Sequence, residues 1–155
     1  MTGARSLEER IDALESEREI RELLIHYAMR LDARDHGGYA RLFARDGEWS
    51  GRMGQAKGPA AIEKMLEDGF GPTPAGFANT NNFHLMTNMV VKVDGDRATA
   101  VSRLTYFERA PGNVPVAKLA GRYEDELVRE DGRWLFRRRK VIGEIPTIAD
   151  LEASE

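Results

Sequence analysis

The stretch NNFHLMTNMVVKVDGDRATAVSRLTYFERA, residues 81–110, decides the fold. From residue 80 onward apolar and polar side chains recur with a period of two, which is the strand period. The DGD at 94–96 interrupts the alternation and reads as a tight hairpin. The stretch is therefore two antiparallel strands. The same reading carries on to the C-terminal side. PGNVP at 111–115 is a looser turn, and VAKLAGRYEDELVRE at 116–130 is a third strand. DGR at 131–133 is another tight turn, and WLFRRRKVIGEI at 134–145 is a fourth strand. Three hairpins in succession make an antiparallel meander.

Upstream the period is helical. Ile20, Leu23, Leu24, Tyr27, Ala28 and Leu31 fall on one arc, and Leu7, Ile11 and Leu14 form an earlier stripe. Ser6 with Glu9 and Ser16 with Glu19 both match the capping-box pattern. We therefore expect a break or bend near Ser16. HGG at 36–38 ends the pattern, YARLFA at 39–44 reads as a short amphipathic helix, and GEWSGRM at 47–53 as a short strand. GPAAIEKMLEDGFG at 58–71 is a further helix, with Pro59 in its first turn and Gly69 near its end. Helices first and sheet after is an α+β layout. A sheet of this size with three helices on one face curls into a cone with an open mouth.

Composition bounds the function. The chain of 155 residues suits one domain, 1–155, with a core over about 7–143 and a loosely held tail at 146–155. A net charge of −3 is too small to point to nucleic acid or a membrane surface. The absence of cysteine removes disulfides, thiolate chemistry and cysteine metal sites. No apolar run approaches the roughly 20 residues of a membrane span. The opening MTGARSLEER is charged and is no signal peptide, so cytoplasmic residence is the expectation. Glycine-rich phosphate loops and nucleophile elbows are absent.

Three histidines remain. His84 shares its strand face with Met86, Asn88 and Val90, while Phe83, Leu85, Thr87, Met89 and Val91 point the other way. A histidine and an asparagine among apolar neighbours face either solvent or a cavity. Imidazole can take and give a proton near neutrality, which makes His84 a candidate acid–base group. An ordinary strand histidine explains it as well. Asp32 borders the apolar helix arc. It is either a solvated helix-end charge or a carboxylate able to orient a histidine and stabilise its imidazolium. Tyr27 lies roughly 140° around the helix from Asp32, and is either a core tyrosine or a donor to a substrate oxygen. His26 reads as surface and His36 as turn. Scattered histidines lack ligand spacing, so no metal is expected. The charges of GRYEDELVREDGRW read as mostly solvent-face pairs, and the basic run FRRRK at 136–140 alternates sides, with some of it able to meet another subunit.

Five pieces then fall in a familiar order: REIRELLIHYAMRLDARD, YARLFARDGEWSG, KGPAAIEKML, FHLMTNMVV and GRYEDELVREDGRWLFRRRKV. Over roughly residues 7–143 the chain resembles the SnoaL-like branch of the nuclear-transport-factor-2-like superfamily, the branch of scytalone dehydratase, hexachlorocyclohexane dehydrochlorinase and bile-acid 7α-dehydratase. The resemblance implies the cone fold, a cofactor-free enzyme and a homo-oligomer, trimer or dimer. It also implies a dyad of Asp32, at the end of the long helix, and His84, on the first long strand, with Tyr27 at the bile-acid dehydratase's tyrosine spacing. No further acidic residue is found aligned on the middle strand, where Tyr106 lies instead. The expected pocket is mostly apolar, lined by Phe43, Trp49, Met53, Phe70, Phe77, Met86, Tyr106 and Tyr123. Asn88 or Tyr27 would hold a substrate oxygen. Such a pocket suits an aromatic, polycyclic or steroid-like small molecule. The expected chemistry is dehydration, loss of halide or retro-aldol deformylation by proton transfer. A ketosteroid-type isomerase, a polyketide cyclase or a non-catalytic small-molecule-binding domain are the alternatives.

Overall fold

The computed structural model describes residues 5–146, so the expected loose tail falls outside the described residues apart from Pro146. Helix α1 spans Leu7–Asp32. Ser6 opens it with a complete capping box: its hydroxyl accepts from the Glu9 amide at 3.1 Å, and the Glu9 carboxylate accepts from the Ser6 amide at 2.7 Å. The second box is not used. The helix runs unbroken through Ser16, which is buried and accepts from Arg129 Nη1 at 3.4 Å. A serine inside a helix costs only a few tenths of a kcal/mol relative to good formers, less than a break would lose in packing. The arc from Ile20 to Ala28 is buried as expected, whereas Leu7, Ile11 and Leu14 are exposed.

The short helix lies earlier than the sequence suggested. Helix α2 is His36–Ala40, and strand β1 begins at Phe43 and runs to Gly51. The HGG expected to break structure is the first turn of α2. Asp35 caps it by accepting from the Gly38 amide at 2.8 Å. A Cβ on Gly38 would sit 2.0 Å from the Asp35 carboxylate, so a side chain there would displace the cap. His36 is accordingly buried in α2, not in a turn, while His26 is exposed as expected. The Gly38 amide, helped by Arg30, holds the Asp35 carboxyl below its ordinary range. A depressed acid stabilises above its unfolded pKa, near 4, and the benefit is lost as pH falls through the folded value. Asp35→Ala should therefore cost about 1 kcal/mol at neutral pH, with Asp35→Asn costing less. In urea unfolding the gap between wild type and Asp35→Ala should narrow once the pH drops below about 4.

Strand β2, Gly54–Lys57, folds back on β1, and helix α3 follows at Pro59–Phe70. Gly71, at φ 74°, caps α3. Gly69 lies inside it, where an added Cβ would fall 2.6 Å from the Met53 methyl. The meander is β3 (Asn82–Asp94), β4 (Arg97–Ala110), β5 (Val114–Glu130) and β6 (Arg133–Ile145), antiparallel throughout. The sheet order is β2-β1-β6-β5-β4-β3, and β1 joins β6 in parallel. The three helices and the curled, unclosed sheet make the α+β cone expected. No described helix is long and apolar enough to cross a membrane.

A β-bulge between Thr87 and Val90 changes the face assignment of β3. Asn88 takes φ 50° and the alternation slips by one. The inward residues are Asn82, His84 and Met86, then Met89, Val91 and Val93. Asn88 and Val90 are exposed. Asn88 is thus removed from the face of His84, and its expected role as a substrate-oxygen ligand is corrected.

The core is aromatic and carries one ion pair. The Tyr27 ring meets those of Tyr39 at 4.5 Å, Tyr123 at 5.4 Å and Phe136 at 5.7 Å. The Arg139 guanidinium lies 3.9 Å from the Tyr27 ring centroid and 4.0 Å from that of Tyr123. It donates from Nε and Nη2 to the two oxygens of Asp125, both at 2.8 Å. Both side chains are fully buried. Burial works against the Arg139 charge, and the paired Asp125 outweighs it and holds the guanidinium protonated. Asp125, in a stretch whose charges were expected to be mostly on the solvent face, and Arg139, of the FRRRK run expected to alternate sides, are therefore core residues.

Candidate active site

Asp32 is the last residue of α1, and His84 is the third of β3. The Asp32 carboxylate engages the histidine twice. Oδ1 lies 2.6 Å from Nδ1 of the ring, and Oδ2 accepts from the His84 backbone amide at 3.0 Å. A carboxylate can only accept, so this contact places the ring proton on Nδ1 and leaves Nε2 with a free lone pair. The two side chains are 21% and 18% exposed, largely shielded from bulk water.

A polar clamp holds the helix end against the strand. Asn79 donates to the Asp32 carbonyl at 2.8 Å and to Asn82 Oδ1 at 2.9 Å, while its own oxygen accepts from the amides of Asn81 and Asn82. Thr73 bonds the Arg34 carbonyl at 2.7 Å, and the Arg34 guanidinium lies 5.0 Å from the centre of the Phe77 ring. The loop between α3 and β3 is thereby tied to the C-terminus of α1. The sequence reading missed Asn79, whose only signal was an asparagine-rich run, ANTNN, ahead of the strand.

Strand β4 supplies the neighbours. Tyr106 is the register partner of His84, with ring centroids 4.8 Å apart and planes tilted by 44°. Its hydroxyl is pushed up to about 12, first by burial, then by the nearby Glu108 and the negative charge of Asp32. Glu108 pairs with Asn82 on this same face. It is an acidic residue of this strand that the sequence reading did not single out. The alternation of Ala98, Ala100, Ser102, Leu104 and Tyr106 points to it when continued by one more step. A cleft of about 310 Å³ between residues 79–83 and the end of β4 is lined in part by Asn79, Asn82, Glu108 and Arg109. Neither this cleft nor those of about 370 and 470 Å³, one lined from Lys92 to Arg137 and one from Glu48 to Lys140, includes a dyad residue.

The other expected site residues divide. Met86 is half-buried on the face of His84. Tyr27 is fully buried in the aromatic core, accepts from Trp49 Nε1 at 2.9 Å, and makes no hydrogen bond to Asp32 or His84. The angle between Tyr27 and Asp32 around α1 explains the separation, and Tyr27 leaves the catalytic set. Phe43, Trp49 and Tyr123 are buried members of the same core, filling the space where a pocket was expected. Met53 and Phe70 are exposed, and Phe77 is half-buried beneath Arg34. Among the described residues no group of three or more His, Cys, Asp and Glu side chains is placed to hold a metal ion.

No curated protein matches the chain in sequence. Solved structures match it well. An NTF2-like protein with a cystatin-like fold from Novosphingobium aromaticivorans is 26% identical, with a TM-score of 0.79 over 100% of this chain and 99% of that one. A protein of the same organism, provisionally assigned as a scytalone dehydratase, is 29% identical, with a TM-score of 0.68 over 84% of this chain and 85% of that one. A hexachlorocyclohexane dehydrochlorinase of type 2 is 23% identical, with a TM-score of 0.72 over 87% and 89%, and at that identity shows the shared fold. The family model described as the SnoaL-like domain matches residues 12–140, and the chain belongs to that family.

Proposed function

We propose that this protein is a cofactor-independent lyase acting on an aromatic or polycyclic small molecule, with His84 as the acid–base group and Asp32 as its partner. The observation that carries the reading is the double contact of the Asp32 carboxylate with the His84 ring and backbone. Nε2 accepts a proton from a substrate C–H or O–H. Asp32 offsets the charge that develops on the imidazolium. The same nitrogen then gives the proton to a departing hydroxide, so substrate becomes alkene plus water. Halide loss and retro-aldol cleavage draw on the same proton transfer. Dehydratase and dehydrochlorinase names among the structural neighbours agree with this class of chemistry. We further propose a homo-oligomer, a dimer or trimer, consistent with exposed Phe83, Leu85 and Val101 on the outer sheet face.

The test combines a thermal-shift screen of hydroxylated and halogenated aromatic compounds with mass analysis of the products. A lyase gives a product lighter by the eliminated group, and His84→Ala reduces its formation to the uncatalysed rate. Unchanged turnover in His84→Ala would remove the dyad from the chemistry. A product of unchanged mass would shift the assignment to an isomerase, in which the proton returns to the substrate.

A further inference from the structure

Helix α1 carries apolar side chains on two opposite sides. The buried arc from Ile20 to Ala28 faces the core. About half a turn away runs a second stripe. It holds Leu7, Ile11, Leu14, Ile25 and Met29, which are between 43% and 68% exposed. Arg18 and Glu22 fall on the same line, between the two apolar groups, and are open to solvent, with their charges 2.7 Å apart. The stripe follows an eleven-residue repeat, in which 7, 18 and 29, 11 and 22, and 14 and 25 are equivalent. That period drifts by only about 20° per repeat on a straight helix, so the stripe stays on one side. The N-terminal turns are held to the sheet by polar contacts, from Arg129 to Asp12 at 2.9 and 3.3 Å and to Ser16 at 3.4 Å. Leu7, Ile11 and Leu14 therefore add little burial to the single chain. A contiguous apolar face of this kind marks a contact surface.

The order along the stripe, apolar then charged then apolar, identifies the occupant. A second copy of α1 laid antiparallel, about a two-fold axis through the middle of the stripe, sets Arg18 opposite the partner's Glu22 and Glu22 opposite the partner's Arg18. In the same register Ile11 meets the partner's Met29, and Leu14 meets the partner's Ile25. A parallel pair in register sets each of the two charges against its own like. The antiparallel pair answers both charges and covers apolar groups with apolar groups, as a self-complementary two-fold contact must. We propose that the outer face of α1 is a self-association surface, on which a second copy of this chain packs antiparallel with Arg18 and Glu22 paired crosswise at its centre. The contact runs over about 27 Å of helix, at the small end of specific interfaces. It is separate from the sheet face of Phe83, Leu85 and Val101, and it does not depend on the dyad.

The chain has no cysteine, so introduced ones report alone. Under mild oxidation, Ile11→Cys protein mixed with Met29→Cys protein should give a disulfide-linked dimer with one copy of each. Either variant by itself should stay unlinked, because its two thiols would lie about 27 Å apart along the pair. Sedimentation across the micromolar range gives a second readout. Arg18→Glu and Glu22→Arg each bring like charges together at both crossing points and should weaken association at least about 10-fold. A mixture of these two variants restores opposite charges at both points and should recover it. Both positions are exposed, so thermal unfolding should be nearly unchanged. The sheet face is intact in every variant, so the difference reads α1 alone. Disulfide formation by Ile11→Cys alone, none in the cysteine mixture, equal masses for wild type and both charge variants, or no recovery on mixing those variants would each overturn the proposal. Were the stripe covered by the chain's own residues 147–155 or by an unrelated protein, the mixed disulfide would not form.

Discussion

Replacing Asp32 with asparagine is expected to lower turnover by about 10³- to 10⁴-fold, with substrate affinity nearly unchanged. The size of the effect follows from hydrogen-bond polarity. The wild-type carboxylate accepts both from the His84 backbone amide and from Nδ1. In Asp32→Asn the amide oxygen can still take the backbone N–H, so the helix end and strand stay joined. The amide nitrogen then faces Nδ1 and can only donate. Nδ1 must become the acceptor, the ring proton moves to Nε2, and the nitrogen facing the substrate can no longer take a proton. The change is isosteric, so the fold should survive, and a kcat loss at constant KM separates tautomer control from loss of binding. Nitrogen-15 chemical shifts of the imidazole report the tautomer without any substrate. An Nδ1–H tautomer retained in Asp32→Asn, or a rate within a few-fold of wild type, would show that Asp32 does not direct His84.

The two dyad residues were legible as candidates because each broke a local pattern: an acid at the edge of an apolar helix arc, and a histidine on an apolar strand face. Their meeting is a tertiary fact. From the residues alone, a solvated helix end and an ordinary strand histidine explained them equally well, and only the resemblance joined them. Asn88 shows where periodicity misleads. Strict alternation put it beside His84, but a single residue at φ 50° inverts every side chain beyond it. The aromatic residues were read correctly as inward-facing but wrongly as a lining. Tyr27, Phe43, Trp49 and Tyr123 pack on one another, and contact among rings from α1, β1 and β5 leaves no trace in local spacing. The parallel pairing of β1 with β6 is invisible for the same reason, since hairpin signals report only neighbours in sequence. Glu108 was readable from the alternation of β4 and was lost in a stretch rich in charge.

Asp125 and Arg139 show the same limit with the largest consequence for stability. Asp125→Ala is expected to destabilise the fold by about 3–5 kcal/mol, a large part of the 5–15 kcal/mol typical of a domain. The loss does not measure what the pair contributes to folding. Bringing two ions out of water costs several kcal/mol each, and their mutual attraction returns about that much. What the variant adds is an uncompensated guanidinium in a dry core, held between the Tyr27 and Tyr123 rings. Those rings offset a little of it, since cation–π contacts are worth about 2 kcal/mol when desolvated. Arg139→Met leaves the opposite charge unanswered and should cost a similar amount. The double variant Asp125→Leu/Arg139→Met removes both desolvation terms while keeping volume, and should lie within about 2 kcal/mol of wild type. Urea unfolding of wild type, Asp125→Leu, Arg139→Met and the double variant gives the coupling directly. Single variants costing less than about 1 kcal/mol would mean that water reaches the pair in solution. A double variant as unstable as the summed singles would mean that the pair's geometry, not its charge balance, holds α1 onto the sheet.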